Sequence, residues 1–213
     1  RILLAGRPPL AYDVASLDVG STVRGLDLPG VREFALATRP IRAFVDRLDA
    51  VLDGLGTRGV RAPHLVVVGG GAAGIELAFT LRARCRGRGM TPQVTVVMDA
   101  PDLLPGYGAR AVARVRRAAS ACGIGLRTGS RVLAVEPQAV VCAHERLPAD
   151  VIVWATGAAP LPLLATSALP LDAAGFVRTR RTLQVEGFED LFAVGDCAAL
   201  ADAPWVRKAG VYA

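Results

Sequence analysis

Cysteine pairs, histidine clusters and aromatics near the basic residues are all missing from this 213-residue chain. Each absence removes a class of function. The four cysteines, Cys85, Cys122, Cys142 and Cys197, form no C-x-x-C or C-x-x-x-x-C pair. That argues against a redox-active disulfide and a zinc site in this chain, and no metal is expected. The two histidines, His64 and His144, lie too far apart in sequence to suggest a ligand cluster. Both are expected at the surface. Aromatic residues make up 5% of the chain and none interleaves with the arginine runs, so nucleic acid is not an expected partner. The longest uncharged stretch, Val151 to Leu171, is long enough to span a bilayer. It contains Gly157, Pro160, Pro162 and Pro170, which break any helix there. Arg1–Leu4 is a short strand-like run and not a signal peptide. A cytoplasmic protein is the default.

Apolar residues are plentiful, at 52% with a mean hydropathy of +0.39, enough to bury a sizeable core. The length suits one large domain or two small ones. Net charge is +6 and the pI about 9.8. Much of the charge is arginine, in runs at Arg82, Arg84, Arg86 and Arg88 and at Arg110, Arg114, Arg116 and Arg117. Such runs suit an anionic membrane surface, nucleic acid or a 2′-phosphate. The plainer reading is a solvated helix end, favoured by the dipole.

The most informative stretch is LVVVGGGAAGIE at 65–76. Leu65 to Val68 suit a buried parallel strand. Gly69, Gly71 and Gly74 follow in G-x-G-x-x-G spacing, and an apolar-periodic helix over about Ala73 to Arg84 comes next. Gly69 allows the tight turn, Gly71 lets a pyrophosphate approach the backbone, and Gly74 lets the helix pack close. The helix N-terminus adds N–H donors and a positive dipole end. Dinucleotide binding is the reading, against a glycine-rich turn in an ordinary α/β domain.

The rest of the pattern supports an α/β fold. A hairpin is expected over Arg1–Ala11, a strand at Tyr12–Leu17, and a helix over about Ile41–Leu55. That helix should bury Phe44, Val45, Leu48, Val51 and Leu52. From residue 61, strands at Leu65–Val68, Gln93–Met98 and Gly125–Thr128 alternate with helices at Ala73–Arg84 and Ala109–Ala121. Short strands Arg131–Glu136 and Ala139–Ala143 lead to a closing strand, Val151–Trp154. This order predicts a parallel sheet with helices on its faces.

Three motifs then occur in order: GGGAAGIE at 69–76, ATG at 155–157 and FAVGDCA at 192–198. The chain resembles the FAD-dependent pyridine nucleotide–disulfide oxidoreductase superfamily. YDVASLDVGS at 12–21, LLPG at 103–106 and RKAGVYA at 207–213 look most like its type II NADH dehydrogenase branch. They look especially like the flavoprotein module fused to selenide, water dikinase. The resemblance implies a Rossmann-like NAD(P)H-binding domain, 61–155, inserted into a partial FAD-binding Rossmann-like domain made of 1–60 and 156–213. Tyr12–Leu17 and Leu191–Val194 would be neighbouring parallel strands of the FAD sheet.

Residue by residue, the resemblance implies these roles. Gly195 and Asp196 match the Gly-Asp motif, whose carboxylate accepts a hydrogen bond from the flavin ribityl chain. Thr156 and Gly157 match the turn between the domains. Gly20 and Ser21 match the first such turn, although Leu17-Asp18-Val19 departs from the usual Ala-Thr. Lys208 to Ala213 match the start of a helix facing the flavin pyrimidine edge. Glu76 either complements the helix dipole or helps place the reacting rings as the catalytic carboxylate. Asp99 would bind the adenosine ribose and favour NADH over NADPH, one position later than usual because Met98 stands where the acid is expected.

The implied activity is hydride transfer from NADH to FAD and on to an acceptor, a quinone or similar small molecule. A non-catalytic NAD(H)-binding module is the alternative, and a simple dehydrogenase would leave FAVGD without a role. A homo-oligomer is expected, with peripheral membrane contact through further parts of the protein. The family's first glycine motif would precede residue 1, so an internal fragment of a protein of roughly doubled length is expected. Such a fragment would retain little FAD and would self-associate through uncovered strands.

Overall fold

A computed structural model of the chain describes residues 1–206 and 208. The chain forms two compact units, residues 23–157 and residues 1–22 with 158–213. The fold is α/β with parallel pairing, in the Rossmann-like manner expected. The family resemblance implies boundaries at 60/61 and 155/156. The compact units divide at 22/23 and 157/158 instead. The physical reason is the helix Ile41–Thr57, which buries Phe44, Leu48, Leu52 and Leu55 in the same apolar cluster as Leu65 and Ile75. Val45, expected on that face, is 39% exposed, because it lies one helical step outside the buried stripe.

The larger unit is built on five parallel strands. Their spatial order is Leu36–Ala37, Val151–Trp154, His64–Val68, Gln93–Val97 and Ile124–Arg127. The central sequences HLVVV, QVTVV and VIVW are dominated by β-branched residues, which fit a pleated, buried surface. Alternation sends successive side chains to opposite faces. Leu65, Val67, Val94, Val96, Val151 and Val153 join one cluster, while Val66, Val68, Val97, Ile152 and Trp154 join the other.

Three helices cover the first face: Ile41–Thr57, Ala72–Gly87 and Ala109–Ala121. The second face is covered by a small antiparallel sheet, Val132–Glu136, Ala139–Cys142 and Arg146–Pro148. Arg146–Pro148 and the edge strand Leu36–Ala37 are too short to carry a readable period, and the sequence does not announce them.

The helix Ile41–Thr57 is clasped by charge to the C-terminal end of the helix Ala72–Gly87. Arg84 donates from Nε to Asp49 Oδ1 at 2.9 Å and also pairs with Oδ2. Arg88 reaches Asp49 Oδ1 at 2.7 Å and Asp53 Oδ1 at 2.8 Å. The Arg84 hydrogen bond holds the Asp49 carboxyl below its ordinary value, with Arg88 adding to it.

In the smaller unit, Ala15–Leu17 and Leu191–Ala193 pair in parallel, with Leu17 opposite Ala193. This is the neighbour relation that the family resemblance implies. Its core gathers Leu164, Val177, Val185, Leu191, Ala193 and Cys197. The hairpin Ile2–Leu4 with Arg7–Leu10 leaves Leu3 82% exposed. Among the described residues, no helix is long and apolar enough to cross a membrane.

Candidate functional site

The strand His64–Val68 runs into a loop of three glycines and then into the helix Ala72–Gly87. Each motif glycine sits in a different steric setting. Gly69 has φ +128, and a Cβ there would lie 2.3 Å from Ala155 O. Only glycine combines that torsion with that approach. A Cβ on Gly74 would lie 1.9 Å from Gly69 O, so the first turn of the helix rests directly on the loop backbone. A Cβ on Gly71 would meet nothing within 4 Å. Gly71 caps the helix with extended backbone, φ −74 and ψ 177. The loop is therefore closed on its protein side and open at Gly71, where the first helical turn offers N–H groups without intrahelical acceptors.

The loop is fixed from below. Gly69 N donates to Val97 O at 2.8 Å, and Leu104 N donates to Gly70 O at 2.7 Å. Met98 is 4% exposed, and its Sδ would lie 2.2 Å from a Cβ on Gly70. Met98 thus packs under the loop as a floor residue, a role the sequence did not reveal. Asp99, the next residue, is exposed at the end of its strand beside Gly129 and Ser130, whose N–H groups bond Ala100 O and Met98 O. Glu76 is exposed on the outer face of the glycine-loop helix, where its carbonyl accepts from Thr80 Oγ1 at 2.8 Å.

Thr156 and Gly157 end the larger unit against Arg24. Arg24 O accepts from Trp154 Nε1 at 2.7 Å and Thr156 Oγ1 at 2.6 Å, and Arg24 N donates to Gly157 O at 2.9 Å. A Cβ on Gly157 would lie 3.1 Å from Arg24 Nη2. Arg24 is 132 positions from Thr156 in sequence, so no local pattern could have found it.

In the smaller unit, a short 3₁₀ turn, Gly195–Cys197, follows the strand Leu191–Ala193. Gly195 has φ +66, and Asp18 Oδ1 lies 2.9 Å from where its Cβ would stand. Ser21 Oγ donates to Asp196 Oδ2 at 3.0 Å. Gly20, with φ +68, makes the turn that brings Ser21 there. Two parallel strands thus end in one polar cluster, with Gly20, Ser21, Gly195 and Asp196 together. Lys208 donates from Nζ to Ala198 O and sits 4.6 Å from the centre of the Phe176 ring. Burial lowers its amine pKa, against the pull of Asp172, Asp196 and Cys197. The helix expected to start there falls on 209–213, which lie outside the described residues.

Glu76 and Asp99 belong to the larger unit and Asp196 and Lys208 to the smaller. Among the described residues, no group of three or more His, Cys, Asp or Glu is placed to hold a metal ion.

Comparison with known proteins gives the arrangement a lineage. A demethylphylloquinone reductase of Synechocystis is 29% identical over 205 residues, covering 93% of this chain and 49% of that protein. An NADH dehydrogenase-like protein of Mycobacterium tuberculosis is 34% identical over 197 residues, covering 89% and 49%. The chain thus spans about half the length of these relatives. The NDH2 structure from Plasmodium falciparum in complex with NADH has the same fold. Its TM-score is 0.74 at 19% identity, over 90% of this chain and 45% of that one. These likenesses favour the NADH dehydrogenase-like branch and give no support to the dikinase-fused module. Residues 8–210 match the family described as pyridine nucleotide-disulphide oxidoreductase, and the chain belongs to that family.

Proposed function

We propose that this chain is the nucleotide-binding part of a flavin-dependent NAD(P)H oxidoreductase. The observation that carries the reading is the glycine loop. Gly69 and Gly74 are pressed against backbone, while Gly71 faces open space at a helix N-terminus. That is the shape a pyrophosphate needs, with backbone N–H donors and a favourable dipole. Residues 23–157 hold the pyridine nucleotide in this reading. Asp99, exposed just beyond the strand Gln93–Val97, accepts a hydrogen bond from the ribose 2′-OH and repels a 2′-phosphate, so NADH is favoured over NADPH. Glu76, one turn into the helix, orients the nicotinamide end as the catalytic carboxylate.

Residues 1–22 and 158–213 contribute to the FAD site. The fit rests on Asp196, whose carboxylate is held by Ser21 at the end of two paired strands. A carboxylate fixed in this way accepts a hydroxyl hydrogen bond from the ribityl chain. Gly20 and Gly195 shape its turns, Thr156 and Gly157 anchor the crossing to Arg24, and Lys208 brings a cation to the same unit. When bound, FAD supplies hydride acceptance from the nicotinamide and onward electron delivery.

The acceptor in this reading is a small molecule of the quinone class, in keeping with the name of the Synechocystis relative. A cytoplasmic homo-oligomer that meets the membrane peripherally completes the proposal. NADH titration by calorimetry tests the nucleotide reading, and a visible flavin spectrum from the whole protein tests the cofactor reading. The account expects saturable NADH binding and a bound flavin. No NADH binding would overturn it.

A further inference from the structure

Asp99 has an ion pair for a neighbour. Arg127 ends the strand Ile124–Arg127 and stands in register with Val97, two positions before Asp99. Register partners in parallel strands share a face, so the Arg127 side chain leaves the sheet on the side that buries Val97. The small antiparallel sheet covers that side. The turn between its last two strands, residues 143–145, is tied to the same edge. Ala143 N donates to Arg131 O at 3.0 Å, and Ser130 N donates to Met98 O at 2.8 Å. Glu145 is carried on that turn. Its Oε1 accepts from Ser130 Oγ at 3.4 Å, and its Oε2 lies 3.6 Å from Arg127 Nε. Asp99, Arg127 and Glu145 thus share one corner of the larger unit, at the carboxyl ends of two adjacent strands.

The pair is loose. Elsewhere in the same unit Arg88 meets Asp49 at 2.7 Å and Arg146 meets Glu136 at 2.6 Å. A separation of 3.6 Å is too long for a hydrogen bond. The Arg127 side chain is 50% exposed, and it makes no side-chain hydrogen bond among the described residues. Glu145 therefore offsets the Arg127 charge without consuming the guanidinium donors. Arg131 and His144 are exposed close by, so a second cation borders the corner.

We infer that Glu145 and Arg127 set the cofactor preference together with Asp99. The inference rests on the reading of the glycine loop as a pyridine nucleotide site. The glycine loop follows the strand His64–Val68, and the sheet continues from there through Gln93–Val97 to Ile124–Arg127. An adenosine ribose at Asp99 therefore lies beside Arg127. A 2′-phosphate is close to dianionic at neutral pH, and a guanidinium is its best single partner. Arg127 is placed to bind that phosphate, and Glu145 opposes it. NADPH meets two carboxylates, Asp99 and Glu145, against the one guanidinium. NADH has no 2′-charge and is indifferent to the pair. A purely structural Glu145 would only fasten the turn to Ser130, a task that glutamine also performs.

The test is calorimetric titration of the protein with NADH and with NADPH at about 0.15 M salt, where the Debye length is about 8 Å and distant charges are screened. Glu145→Gln should tighten NADPH about five- to tenfold, the scale of one charge-assisted hydrogen bond at a half-exposed site. NADH affinity should stay within about twofold. Arg127→Ala in the Glu145→Gln background should erase the gain, and Arg131→Ala there should keep most of it. The control Glu136→Gln removes the same charge at the far end of the strand Val132–Glu136 and should leave both affinities unchanged. Asp99 is intact in every variant, so its own repulsion is common to all. A parent that binds NADH while Glu145→Gln leaves NADPH unmoved would overturn this inference and spare the nucleotide site. So would a gain that survives Arg127→Ala, or an equal gain in Glu136→Gln. A parent that binds neither nucleotide would overturn both.

Discussion

Gly71 and Gly74 stand three residues apart in one motif, yet the structure gives them opposite expected behaviour when substituted. At Gly71 a side chain meets no protein atom within 4 Å, and the backbone at φ −74 and ψ 177 accepts any residue. Gly71→Val therefore gains a few tenths to about 1 kcal/mol from a stiffer unfolded chain and loses a similar amount as a poorer helix cap. Stability should stay within about 1 kcal/mol. NADH affinity should fall at least about tenfold, or about 1.4 kcal/mol, because the new side chain would fill the space proposed for the pyrophosphate. At Gly74 the new Cβ would lie 1.9 Å from Gly69 O, and backbone must move to relieve it. Gly74→Ala should cost about 1–3 kcal/mol by overpacking. For a chain of this size each kcal/mol lowers the midpoint by about 2–4 °C. Calorimetry supplies both readouts, by thermal scan and by NADH titration. Undiminished NADH affinity in Gly71→Val would refute the placement of the phosphates. An unchanged melting point in Gly74→Ala would refute the close helix–loop packing.

Three further outcomes are expected. Asp99→Ser should narrow the NADH-over-NADPH preference by about 1–2 kcal/mol, the worth of a hydrogen bond to a charged group, read as a ratio of dissociation constants. An unaltered ratio would mean that another residue reads the ribose. The Arg84 hydrogen bond depresses the Asp49 pKa, so the clasp contributes stability above the unfolded carboxylate pKa of about 3.9 and loses it as pH falls through the lower folded value. Asp49→Asn should therefore melt lower than the parent at neutral pH, with the two curves converging below about pH 4. A constant gap at all pH values would assign the effect to packing. Burial raises the Cys85 and Cys142 thiols above their ordinary value and keeps them protonated at neutral pH, while Cys122 is half-buried. Mass spectrometry after brief native alkylation should find the label on Cys122 first, and early labelling of Cys85 would contradict the packing of the glycine-loop helix.

What was legible in the sequence is what repeats or punctuates. The glycine spacing, the apolar runs at 65–68, 93–98 and 151–154 and the apolar period over about 41–55 each name an element, because local sterics and burial dictate them. The parallel pairing of Ala15–Leu17 with Leu191–Ala193 followed from family likeness and from no local signal. What escaped reading depends on contacts across long separations. Arg24 meets Thr156 from 132 positions away, and Ser21 meets Asp196 from 175. Met98 reads as a strand-end residue displacing an expected acid, and only the structure shows it filling the space under Gly70. The boundary at 22/23 was hidden for the same reason. Helix Ile41–Thr57 is recognisable as amphipathic, but its partner is chosen by packing.

The central claim is that NADH held at the 69–74 loop reduces a flavin in the same protein. Its most direct test is anaerobic mixing of NADH with the flavin-loaded protein while the visible flavin absorbance is followed. The account predicts bleaching of the oxidised band in proportion to the NADH added, and loss of that response in Gly71→Val. An oxidised spectrum that persists while NADH is bound would contradict it.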